Sequence, residues 1–173
     1  MDWVILRLLH ILGGIFWVGA AYTMFLFLQP TATATGREGQ RFMLHLLGRR
    51  HLIDVVLGAA IVTVSAGLIM IWRDSNGLDL GLLSRPPVLG FAIGGTAAIV
   101  ALLLFAFVGY PTTRRIIRIG SRLEAEQRPP TDDEQRTVAN AQAALRLVGL
   151  SVLVLVGIAA ASMATARYWS LVL

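Results

Sequence analysis

Leu8-Leu9-His10-Ile11-Leu12-Gly13-Gly14-Ile15-Phe16-Trp17-Val18-Gly19-Ala20-Ala21 is an apolar stretch with one imidazole set inside it and two glycines one turn further on. At 3.6 residues per turn, His10, Gly13, Gly14, Trp17 and Ala21 fall on one helix face. That face carries a potential metal ligand, a notch without side chains and an aromatic wall. The apolar run around it extends from Trp3 to Leu28, enough to cross a bilayer core, which takes roughly 20 residues. It is too long for the apolar core of a signal peptide, and Asp2 is acidic where a leader carries basic residues. A transmembrane helix is therefore expected here, and with it an all-α membrane protein.

The composition agrees. Of 173 residues, 56% are hydrophobic and 14% charged, against about 25% charged in a typical soluble domain. There is no cysteine, which removes disulfides, thiolate metal sites and cysteine nucleophiles. All 15 basic residues are Arg and none is Lys, which removes Schiff-base chemistry and a P-loop lysine. The net charge of +5 comes from Arg residues that flank apolar runs. The expected partner is therefore the lipid bilayer and not nucleic acid.

Four spans are expected, at about 3–28, 52–72, 88–110 and 147–168, in one membrane domain covering 1–173. Gln29-Pro30 is expected to end the first. Residues 31–50 turn amphipathic and suggest an interfacial helix or the start of a longer second one. Asn76-Gly77 marks a turn after the second span, and Pro86-Pro87 a helix start before the third. Arg114, Arg115, Arg118 and Arg122 alternate with apolar residues, so the third helix should run on beyond the membrane. Thr131 followed by Glu134 predicts a capping box at the start of the fourth.

Eleven Arg lie in the two long loops, 29–51 and 111–146, and four elsewhere. The positive-inside rule then places both loops in the cytoplasm and both termini outside, in a bacterial inner membrane. A faint repeat also shows. Gly13-Gly14 precedes Pro30-Thr31 by the interval that separates Gly94-Gly95 from Pro111-Thr112, as a duplicated helical hairpin would. His10 then corresponds to Phe91, so a ligand at this position exists in one half only.

Ionisable groups inside a span are costly and usually face the bundle interior. A neutral imidazole there can ligate haem iron, with Gly13 and Gly14 leaving flat space for a porphyrin edge and Trp17 stacking on it. The competing reading is a packing histidine that donates to a carbonyl of the next helix, with the glycines allowing close approach. Met163 and Met70 return to roughly the depth of His10 and are candidate sixth ligands, or else gap-filling core residues. His51 and Asp54 at i, i+3, with Arg50 and Asp54 at i, i+4, predict an ion pair at the cytoplasmic end, too far from His10 to share an iron.

Leu9-His10 followed by Phe16-Trp17-Val18-Gly19 resembles the first helix of several small bacterial membrane families: the copper-resistance CopD-like proteins, the HemJ-type protoporphyrinogen oxidases and related uncharacterised four-helix proteins. The Arg128-Pro129-Pro130-Thr131 loop and the end of the chain, Met163 to Tyr168, look most like the uncharacterised group. For HemJ-like proteins the first-helix histidine is implicated in haem or porphyrin binding, which carries over to His10 alone. That family also relies on a lysine, absent here, so the resemblance implies tetrapyrrole binding and not the oxidase activity. The expected function is a small membrane protein binding haem b or a porphyrin, in electron transfer or tetrapyrrole handling. The alternative is a haem-free accessory subunit packed through glycine faces against partner membrane subunits or a second copy. A copper or solute permease is a weaker third, because the spans lack a charged or methionine-rich path.

Overall fold

The computed structural model describes residues 2–83 and 85–171 and is all-helical among them. Helix α1 comprises Asp2–Thr23, a wide turn over Met24–Leu28 and a final segment Gln29–Ala34. Helix α2 is Gly36–Leu44, continued by a wide turn over His45–Arg49. Helix α3 is Leu52–Asp74, and α4 the short Leu80–Leu83. Helix α5 begins as Pro86–Leu104, crosses a wide turn over Phe105–Gly109 and goes on as Tyr110–Glu126. Helix α6 is Asp132–Thr165, closed by the tighter turn Ala166–Leu171. Four of these rods, α1, α3, α5 and α6, are long and apolar enough to cross a membrane.

Local signals explain most of the boundaries. Thr131 Oγ1 accepts from the Glu134 backbone N–H, and the Glu134 carboxylate accepts from the Thr131 N–H at 2.9 Å, so the expected capping box starts α6. Pro86 stands in the first turn of α5, where a missing N–H costs nothing. After α3, Gly77 takes φ +85°, and Ser75 Oγ holds the turn by donating to the Ile71 carbonyl and accepting from the Leu78 N–H. The boundary at Gln29-Pro30 is a correction, because α1 does not stop there. The Gln29 N–H reaches back five residues to the Met24 carbonyl. This wide turn loosens the ladder just ahead of Pro30 and relieves the clash its ring would make one turn back, so the rod continues to Ala34.

The wide turns fall at corresponding places in the repeat. Met24–Leu28 before Pro30 and Phe105–Gly109 before Pro111 stand 81 residues apart, as do Gly13 and Gly94. The packing repeats as well. In the first hairpin Gly13 of α1 lies over the Ala59 carbonyl and Thr63 of α3; in the second, Gly94 of α5 lies over the Ala159 carbonyl and Met163 of α6. A glycine of the first helix thus lies over a carbonyl of the second in both hairpins, α1/α3 and α5/α6.

Where the hairpins meet, the core is mostly alanine: Ala60, Ala97, Ala98, Ala101 and Ala159 pack with Val64, Val152 and Val156 around Trp17. Small residues let the backbones come close enough for dispersion to hold them, which matters when lipid competes for every apolar surface. Trp17 is 2% exposed and is the one large side chain in this cluster; Ala98 occupies the equivalent place in the second hairpin. Large apolar side chains, among them Ile15, Leu12, Leu147 and Val154, point outward. That outer surface suits acyl chains as solvent.

Candidate functional site

His10 sits on the seam between α1 and α3. Its Nδ1 lies 2.8 Å from the Thr63 carbonyl oxygen. A carbonyl only accepts, so Nδ1 carries the proton of this bond, and Nε2 is the ring nitrogen left for another partner. The ring rests on Gly67, where an added Cβ would stand 2.9 Å from Cε1 and 3.0 Å from Nδ1. Glycine at 67 is therefore what admits the imidazole between the helices. Thr63 turns its own hydroxyl back to the Ala59 carbonyl at 2.8 Å, which satisfies it within its helix. Among the described residues none hydrogen-bonds Nε2, and no buried side-chain polar atom lacks a partner, so Nε2 opens on the bundle's surface.

The neighbours expected around His10 are distributed as follows. Gly13 does not leave a notch: a Cβ there would stand 2.5 Å from Thr63 Oγ1, because the threonine already fills the space. Gly14 is in ordinary contact with Thr63 Cγ2 at 3.5 Å. Trp17 lies in the inter-hairpin core and forms no wall on the seam. Met163 fills the Gly94 notch of the second hairpin. Met70, half-buried, falls on the α3 face that carries Thr63, Gly67 and Asp74, and so shares the seam of His10. Thr63, whose residue type suggests back-bonding within its own helix, and Gly67, which carries no local signal of a ligand, hold the imidazole between them. Their signal is the i, i+4 run of small residues Ala59, Thr63 and Gly67 on one helix face.

Above His10 the seam opens into a shallow groove of about 270 Å³ lined by Trp3, Val4, Arg7 and Asp74. Trp3, Arg7 and His10 occupy one face of α1, and Gly67, Met70 and Asp74 one face of α3. The groove and the imidazole are thus stacked along the same seam.

At the opposite end of α3, Asp54 joins the two hairpins. Tyr110 of α5 donates its hydroxyl to Asp54 Oδ1 at 2.7 Å, and His51 Nδ1 lies 3.0 Å from Oδ2. The guanidinium that reaches Asp54 is Arg114, at 3.7 Å, and not the Arg50 that helical spacing suggests. His51 has φ +54°, which breaks the path from the turn after α2 into α3 and swings Arg50 away. A cross-bundle partner such as Tyr110 leaves no trace in local spacing. Among the described residues no group of three or more His, Asp or Glu side chains is placed to hold a metal ion.

Comparison with family models, with curated proteins and with solved structures finds no match for this chain.

Proposed function

We propose that this is a small membrane protein that carries haem b, or a porphyrin, on His10, in electron transfer or tetrapyrrole handling. The observation that carries the reading is the bond from Nδ1 to the Thr63 carbonyl. It orients the ring and leaves Nε2 without a hydrogen-bond partner among the described residues. This is the support that metal-ligating histidines receive from a carbonyl or carboxylate behind them. An imidazole nitrogen inside an apolar span calls for a metal ion or a hydrogen-bonding group from outside the chain.

The remaining residues limit how a macrocycle fits. Thr63 closes the space beside Gly13 and Gly14, so those glycines admit α3 and would not receive a porphyrin edge, which leaves His10 as the residue that would hold the group. Met70 shares that seam and is the better placed of the two methionines for a sixth ligand. Bound haem would supply one-electron chemistry; this chain's part would be to hold the ring at His10 and keep the imidazole oriented. The Arg bias puts the site toward the extracytoplasmic side of a bacterial inner membrane.

A second reading has its own support. The Gly13–Thr63 arrangement recurs at Gly94–Met163, where no histidine stands nearby in sequence, so the glycine faces serve packing in both hairpins. In a haem-free accessory subunit, Nε2 accepts a hydrogen bond from a partner membrane subunit or a second copy. The two readings part on one spectrum. Protein purified after expression with haem supplied should show a Soret band that is shifted or lost in His10→Ala and kept in His51→Ala. A colourless wild type that takes up no added haem overturns the haem reading and leaves the accessory subunit.

A further inference from the structure

The groove lined by Trp3, Val4, Arg7 and Asp74 is not accounted for by the imidazole below it. It holds one guanidinium, one carboxylate and an indole 43% exposed. Among the described residues, Arg7 and Asp74 stand further apart than an ion pair allows, and neither pairs elsewhere. Two opposite charges thus line one hollow without neutralising each other.

Their order along the membrane normal follows from the helix rise. At 1.5 Å per residue, Arg7 is rooted about 4.5 Å above His10 on α1, and Trp3 about 10 Å above it. On α3, Gly67 receives the His10 ring, and Asp74, about two turns on, is rooted about 10 Å above Gly67. The cation is therefore rooted on the acyl-chain side of the groove, and the carboxylate and the indole on the water side. This order holds whichever leaflet the groove faces.

A phospholipid headgroup that carries both charges is the complement. Its phosphate adjoins the glycerol and the acyl chains, and its ammonium forms the outer end. The phosphate meets Arg7, whose guanidinium offers a planar fork of donors. The ammonium meets the Asp74 carboxylate and the face of the Trp3 indole, which attracts a cation. A hollow of about 270 Å³ falls below the roughly 300–1,000 Å³ that encloses a drug-sized ligand, so it takes a headgroup and leaves the chains outside. A path for a chain starts in the groove itself: Val4, Leu8 and Ile11 form one exposed apolar stripe down α1.

We propose that this groove is a binding site for a zwitterionic phospholipid whose cation is a primary ammonium, that is, a phosphoethanolamine headgroup. A primary ammonium donates N–H to Asp74, and a quaternary one has no N–H to give. An anionic headgroup supplies nothing for Asp74 to accept and brings a negative charge toward it. The site is independent of any group held on His10.

The test offers phosphatidylethanolamine, phosphatidylcholine and phosphatidylglycerol with the same acyl chains to the purified full-length protein in detergent, and reads the lipid retained by native mass spectrometry. Wild type should retain phosphatidylethanolamine about tenfold better than the other two, as expected for a charge-assisted contact that it alone completes. Arg7→Gln should lower retention of phosphatidylethanolamine by about the same factor. Asp74→Asn should reverse the order in favour of phosphatidylglycerol, a change that mere damage to the fold does not produce. His10→Ala should leave the order as in wild type. Equal retention of the three lipids by wild type overturns the proposal, and so does an order that Asp74→Asn leaves in place. Free phosphoethanolamine should compete poorly; if it displaces the lipid at equal concentration, the groove reads a soluble zwitterion and the phospholipid assignment fails. If Arg7→Gln and Asp74→Asn lower thermal stability equally in lipid-free detergent and leave the lipid preference alone, the two charges are a structural contact and the proposal is refuted.

Discussion

Replacing Gly67 by alanine tests the geometry of the seam most directly. An added Cβ would meet the imidazole of His10 at 2.9 Å from Cε1 and 3.0 Å from Nδ1, where ordinary contact begins at 3.4 Å. The ring has to withdraw by about half an ångström, and it cannot do so freely, because Nδ1 is held 2.8 Å from the Thr63 carbonyl. Either the hydrogen bond stretches past useful length or α1 and α3 separate. Losing a buried hydrogen bond costs about 1–3 kcal/mol, and alanine in a helix returns about 0.5–1 kcal/mol relative to glycine. The net expectation is a loss of up to about 2.5 kcal/mol. Gly58 on the same helix is the control, since a Cβ there meets nothing within 4 Å. Gly58→Ala should be neutral or stabilising. The assay is reversible unfolding in mixed micelles, run as a double-mutant cycle with His10→Ala. In that background the cost of Gly67→Ala should largely disappear, because the clashing ring is gone. Equal stability of Gly67→Ala and Gly58→Ala, or strict additivity in the cycle, would show that the imidazole is not seated on Gly67.

Trp17→Ala empties the place where the hairpins meet and should cost about 3–5 kcal/mol, read from the same unfolding curves; a loss below 1 kcal/mol would mean that the hairpins close up without it. Glu134 is held at about 2, well below its usual value, chiefly by the Arg128 guanidinium and next by the Thr131 N–H. Its pKa is depressed on folding, so its contribution is complete above the unfolded value near 4.5 and is lost as pH falls through about 2. Amide exchange in the first turn of α6 should therefore rise between pH 4.5 and 2, and Arg128→Gln should move that rise to higher pH; a flat profile would contradict the capping assignment. For topology, single cysteines at Leu80, 81% exposed, and at Thr131 should be labelled by an impermeant reagent in intact cells at Leu80 only. Labelling at Thr131 alone would invert the orientation. Ser75, although it lies in the same connection between α3 and α5, is fully buried and useless as a reporter.

The sequence by itself determined the class and most of the framework. Long apolar runs bounded by Arg, Pro and Asn-Gly mark four spans because the bilayer demands a minimum length and charges cannot follow. Thr131 and Glu134 announce their capping box because both partners lie within one turn. The repeat was legible in the spacing of Gly and Pro, and the wide turns before Pro30 and Pro111 fall at corresponding places in it.

What only the tertiary structure decided is what each face meets. Helical periodicity puts His10, Gly13, Gly14 and Trp17 on one side of α1, but it cannot say whether that side meets a cofactor, another helix or lipid. In the fold, Thr63 occupies the space beside Gly13, Gly67 receives the imidazole, and Trp17 turns into the core between the hairpins. Met163, level with His10 by residue counting, belongs to the other hairpin, and Tyr110 reaches Asp54 from 56 residues away. Local spacing records which side chains share a face, because the helix repeat is fixed by backbone geometry. Which face finds which partner depends on how four rods pack together, and that is decided by the shape and volume of side chains far apart in the chain.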